Sequence, residues 1–187
     1  MVEQLTNAVR IEYITGVLGP SKFRRSQDDL IEDVFVTEYC YVQTLSVPDG
    51  TVQRLAVTTT DSRFRPEFWL GLPGSWPSAR IRLGETRFGD VDLTATWRVS
   101  RGARRFQYWE KYYLGNPGGY QTYVLAISDA GIGSTGDLRL ILPGIAGGNG
   151  GNSTDEAFPG DDGESLVTQA DWQEFRRTSL IDTFVIS

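Results

Sequence analysis

The side chain in this 187-residue sequence best placed to do chemistry is Glu110, set among Phe106, Tyr108, Trp109, Tyr112 and Tyr113. A carboxylate surrounded by rings holds its proton more tightly than one in water, and could act as a general acid in glycoside hydrolysis if a second carboxylate lay at a fixed distance. Glu38, Asp92 and Asp129 are the candidates for that partner, each on or beside an expected strand, although nothing in their spacing brings one of them to Glu110. Arg98, Arg104 and Arg105 are close in sequence. A buried Glu more commonly pairs with an arginine than works as a catalyst, so an ion pair is the expectation.

Other chemistries are harder to assemble. The chain has no histidine and one cysteine, which removes Ser-His-Asp and Cys-His nucleophiles, imidazole ligation and an internal disulfide. Cys40 lies in the β-branched run VFVTEYCYVQTLSV and reads as a small core residue. Neither a P-loop nor a GxGxxG turn is present. Asp155, Glu156, Asp161, Asp162 and Glu164 could offer oxygens to Ca²⁺, but they do not follow the EF-hand spacing and are expected to form a solvated acidic loop. The chain is therefore expected to be no enzyme, with no cofactor and no metal site.

Residues suited to contacts are plentiful. Arginine outnumbers lysine 16 to 2, and the 22 aromatics are spread along the chain. Arginine favours planar, stacked and interfacial contacts. The net charge of −6 is uneven: residues 1–111 carry 15 basic and 14 acidic groups, residues 112–187 carry 3 and 10. Arg98, Arg101, Arg104 and Arg105 surround an expected hairpin tip at 100–103. They could meet phosphates, but the overall acidity favours an interface with the acidic part of a neighbouring copy. Trp109 and Tyr112 fall on opposite faces of one aromatic strand, facing a core, a partner or a ligand. Trp69 and Trp76, in FWLGLPGSWP, read as a clasp at a sheet end or an interface knob.

The elements that would carry these residues are mostly strands. Period-2 alternation is clearest over Val91–Ser100 and recurs over Val9–Val17, Val34–Val47, Thr51–Thr60, Ala79–Glu85, Arg104–Leu114, Tyr120–Ser128 and Leu138–Leu142. Turn signals stand at 48–50, 115–119 and 133–136. Hydroxyl-x-x-acid boxes predict two short helices, one after Ser26 and one after Thr168. The fold class expected is all-β: an antiparallel sandwich or jelly-roll-like barrel of about eight strands with two short helices. Residues 1–143 would form the β-sandwich core and 144–164 a Gly/Asp-rich loop. Residues 165–187 would form a helix and strand docking on their own or a neighbouring subunit, one domain overall. Leu180, Phe184 and Ile186 alternate on that last strand, which is expected to pair across a subunit boundary.

No apolar run approaches the length of a membrane span, and the first ten residues lack the pattern of a secretory signal. A soluble protein made in the cytoplasm is expected. The function expected is that of a non-enzymatic structural or assembly protein, specifically a virion component such as a coat, decoration or tail subunit, whose partners are itself and other subunits. The alternatives are a carbohydrate- or small-ligand-binding β module using the Trp/Tyr faces, and a carboxylate-dependent hydrolase centred on Glu110.

Overall fold

The computed structural model describes residues 5, 7–72, 74, 77–99, 106–133 and 169–187. The expected strand at Leu138–Leu142, the loop 144–164, Arg101, Arg104, Arg105 and Trp76 lie outside the described residues, as does the side chain of Arg98.

The protein is mostly β. Ten strands are described: β1 (Phe23–Gln27), β2 (Leu30–Val36), β3 (Cys40–Ser46), β4 (Val52–Thr59), β5 (Glu67–Leu70), β6 (Ala79–Arg82), β7 (Thr96–Val99), β8 (Phe106–Leu114), β9 (Gln121–Ser128) and β10 (Thr183–Ile186). Two α-helices, α1 (Ile11–Leu18) and α2 (Gln169–Thr178), and a 3₁₀ turn at Phe88–Asp90 complete the described elements. Eight strands form one sheet in the order β1-β2-β3-β4-β10-β9-β8-β7, and β5-β6 form a separate hairpin. Every pairing is antiparallel. The large sheet is thus two meanders, β1–β4 and β7–β9, joined by β10.

Alternation sets the buried face in β3 and β8, while β10 at the centre of the sheet is buried on both faces. Phe35, Val42, Leu55, Val57, Phe184, Ile186, Tyr123, Leu125, Ile127, Tyr108 and Tyr112 are in the core. Their strand registers place them on a common face of the sheet. The second layer is supplied by Ile11 and Ile14 of α1, by Phe68, Leu70, Ile81 and Leu83 of the hairpin region, and by Phe88, Val91 and Phe175. Phe68 stacks on Phe184 with ring centroids 4.5 Å apart, fixing the hairpin over β10. Phe175 and Phe88 each meet the Tyr108 ring edge-on, at 4.7 and 4.9 Å.

Several expected elements take another form. Val9–Val17 is not a strand: Ile11 and Ile14, three apart, are both buried by α1, which ends at Gly19 with φ 82°. Docking one face of a helix outweighs the β preference of the branched residues. The box at Ser26–Asp29 starts no helix. Gln27 pairs with Leu30 across a two-residue turn in which Asp28 has φ 53°, a conformation aspartate tolerates better than most residues. Val34–Val47 is two strands, because the Thr37 hydroxyl takes the Cys40 N–H at 3.0 Å and donates to the Cys40 carbonyl at 2.9 Å, closing a turn. Val91–Ser100 is a strand only from Thr96. The Val91 N–H returns to the Phe88 carbonyl, and its own carbonyl is taken by Arg176. The helix after Thr168 is α2.

Strand β10 was expected to seek another chain, but both its edges are used at home. Thr183–Ile186 pairs with β4 on one side and β9 on the other. It has no free edge for a neighbouring subunit.

Candidate functional site

Glu110 is placed by β8 on the inner face, with its side chain 1% exposed. Arg176, projected from α2, meets it through Nε at 2.7 Å and through its terminal nitrogen at 3.3 Å. The Tyr108 hydroxyl donates to Oε1 at 2.6 Å and the Tyr112 hydroxyl donates to Oε2. Arg176 also donates to the carbonyls of Phe88 and Val91, and its guanidinium lies 5.1 Å over the Trp172 ring. Burial, reinforced by the Glu110 charge, pushes both phenols far above the ordinary tyrosine range. The carboxylate therefore faces charge-matched, hydrogen-bonding partners inside the core. The ion pair expected at Glu110 is present, with a partner 66 residues along the chain.

A second buried acid, Asp182, lies just before β10. It accepts from the N–H groups of Ser128 and Gly133, both at 2.9 Å, and from the Thr183 hydroxyl at 2.7 Å. Burial raises its pKa to about 6, while these three donors pull the other way. A Cβ on Gly131 would stand 2.1 Å from its Oδ2, so the chain must have glycine there to bring the loop onto the carboxylate. Cys40 is buried, and burial raises its thiol pKa, so it behaves as a core residue. Among the described residues no three His, Cys, Asp or Glu side chains cluster in a way that could hold a metal ion. No described helix is long and apolar enough to cross a membrane.

The expected contact residues scatter. Phe184 and Ile186 are core residues of β10, and Tyr112 is fully buried against Glu110. None of these three is surface an interface could use. Leu180 is half-buried and bridges to Arg87. Trp109 is half-buried on the outer face of β8, opposite Ala126. Arg98 lies on β7 opposite Trp109. Trp69 is 41% exposed.

The surfaces that stand out are others. On the outer face at the β1 end of the sheet, Phe23 is 62% exposed, with Val36 and Tyr41 also exposed. Register places Phe23 opposite Val34 and Val36 opposite Tyr41, so these four side chains share one face. β1 is the last strand of the sheet on that side. Arg24 and Arg25 fasten it to Asp33 and Glu32 through ion pairs at 2.9 and 2.7 Å. At the other end, exposed Tyr113 and Tyr120 stack at 5.0 Å. On the β5–β6 hairpin, Trp69 lines a shallow groove with Arg63, Arg65, Glu67, Arg82 and Glu85. The alternation of Glu67-Phe68-Trp69-Leu70 carries the signal that would have found the last of these, since Phe68 and Leu70 inside require Trp69 outside. No protein-family model matches the chain, and no significant match is found among curated proteins or among solved structures.

Proposed function

We propose that the chain is a non-enzymatic assembly protein that associates with copies of itself through the outer face and edge at β1. The observation carrying this reading is the row of exposed Phe23, Val36 and Tyr41, continued by half-buried Val34, on and beside an edge strand. Aromatic and branched side chains left in water at a sheet edge are the pattern of a surface that a partner covers. The strand β10 no longer supports assembly, so the reading rests on this other surface. Absence of catalysis is supported by the placement of Glu110 and Asp182, each inside the core with its oxygens hydrogen-bonded. A virion coat, decoration or tail subunit is the specific form of the proposal, in keeping with a mostly β chain rich in arginine. A sandwich is the finer reading of the fold, with β5–β6 as the described part of a second sheet.

Light scattering of the purified protein at low and high salt, followed by electron microscopy, tests the proposal. A mass above 20.8 kDa is expected, and Phe23→Glu with Val36→Glu should return the chain to that mass with unchanged circular dichroism. A wild-type protein that stays monomeric at micromolar concentrations, or an oligomer indifferent to both substitutions, overturns it.

A further inference from the structure

We propose that the groove on the outward face of the β5–β6 hairpin binds an acidic glycan, with Trp69 as the stacking platform. The hairpin divides its residues cleanly. Phe68, Leu70 and Ile81 are buried, while Glu67 pairs with Arg82 and Trp69 with Arg80 on the opposite face. An indole 41% exposed in a four-residue strand contributes little to the core that Phe68 and Leu70 already fill. Its flat apolar surface is instead available to a ligand ring.

The groove is about 660 Å³ and is lined by Trp69 with Arg63, Arg65, Glu67, Arg82 and Glu85. The polar side chains hold one another in place. Arg82 reaches Glu67 at 3.1 Å and Glu85 at 3.2 Å, and Arg65 reaches Glu85 at 3.2 Å while donating to the Ser62 carbonyl at 3.0 Å. Arg63 is clamped to Asp61 at 2.6 Å. This network presents N–H donors and carboxylate acceptors around the exposed indole.

The mixture of signs identifies the ligand class. Sugar hydroxyls both donate and accept, and so are matched by alternating guanidinium and carboxylate groups above an aromatic face. A nucleic-acid groove needs a run of cations to match successive phosphates, and a lining interrupted by Glu67 and Glu85 does not offer one. Counting the charges tied to the lining, Asp61 on Arg63 and Arg80 on Glu67, four arginines stand against three carboxylates, an excess of one positive charge on an acidic chain. A sugar bearing a carboxylate suits that excess better than a neutral one, because guanidinium and carboxylate pair in a planar fork.

The test is titration of the full chain, followed by NMR of the tryptophan indole signals and by calorimetry. Sialyllactose and trigalacturonate are the acidic probes, lactose and maltotriose the neutral ones, and a short oligothymidylate the nucleic acid. An acidic probe is expected to shift one indole signal, and Trp69→Ala to weaken its binding about tenfold or more, a loss of about 1.4 kcal/mol. Trp69→Phe should restore most of the affinity. Arg65→Gln, in the groove lining, should remove the preference for acidic over neutral sugars with the melting temperature within a few degrees of wild type. No shift with either acidic probe at millimolar concentration overturns the proposal. So does binding that survives Trp69→Ala, or a preference for the oligothymidylate. Should Trp69→Ala unfold the hairpin, the pair Trp69→Phe and Arg65→Gln decides alone, and intact binding with intact acid preference in both refutes it.

Discussion

Replacing Arg176 by methionine is expected to destabilise the protein by about 3–5 kcal/mol. The size follows from where the charges sit. Glu110 is 1% exposed and Arg176 18%, so removing the guanidinium strands a carboxylate in the core with only the hydroxyls of Tyr108 and Tyr112 to stabilise it. The same change strips a donor from the carbonyls of Phe88 and Val91, which are fixed by the turn that Arg176 closes. Glu110→Gln should cost less, about 2 kcal/mol, because one tyrosine hydroxyl keeps the amide oxygen as acceptor, the other can accept from the amide N–H, and the arginine stays over Trp172. In the double variant neither charge is left unpaired, so the two costs should fall short of adding by about 2–3 kcal/mol. Urea denaturation followed by tryptophan fluorescence measures all three, and the melting temperature of Arg176→Met should drop on the order of 10 °C. If Arg176→Met costs less than about 1 kcal/mol, or if the single costs simply add, Glu110 and Arg176 do not form the buried pair described, and Glu110 regains its standing as a catalytic candidate.

Two further outcomes are expected. Asp182, with a folded pKa of about 6 against an ordinary 3.8, binds more protons folded than unfolded between those values. Its contribution to stability is therefore fully present below pH ~4 and falls by about 3 kcal/mol as pH rises through ~6; the difference in urea midpoint between wild type and Asp182→Asn, measured across that range, should show this slope, and a flat difference refutes it. Gly131→Ala should destabilise by about 1–3 kcal/mol or more, since the new methyl would overlap Asp182 Oδ2; a melting temperature within error of wild type would show that the loop does not approach the carboxylate.

Much of the sheet was legible because it is written in local alternation. Thr51–Thr60, Ala79–Glu85, Arg104–Leu114 and Tyr120–Ser128 contain β4, β6, β8 and β9; β6 and β8 alternate with the period of two of a half-buried strand, while β4 and β9, which flank β10, are buried over consecutive residues. Local pattern misled where two structures share one signature. A hydroxyl-x-x-acid box at Ser26–Asp29 serves a helix start or a tight hairpin equally well, and the pairing of Phe23 with Val34 decided it. Ile11 and Ile14 fit either period over so short a stretch, and only the core that receives them selects the helix. The site was less legible still. Glu110 announced itself by its neighbours, but Arg176 is 66 residues away and carries no local mark of its role. The exposure of Phe23 and Trp69 depends on which face the sheet and hairpin turn inward, which no single segment contains.

The position of β10 has a kinetic consequence. The meanders β1–β4 and β7–β9 are built from neighbours in sequence and can form quickly, but they are joined only when β10 enters between β4 and β9. The Thr58–Thr183 hydroxyl contact closes a separation of 125 residues, and the entropy of so long a closure is lost before the new hydrogen bonds repay it. Until then, β4 and β9 each present a bare, apolar edge to other chains. A chain whose meanders form before β10 is seated is therefore expected to be more prone to aggregate than its finished form. Dilution, or a faster closing step, should raise refolding yield without changing final stability, because the vulnerable edges exist only before the last strand is seated.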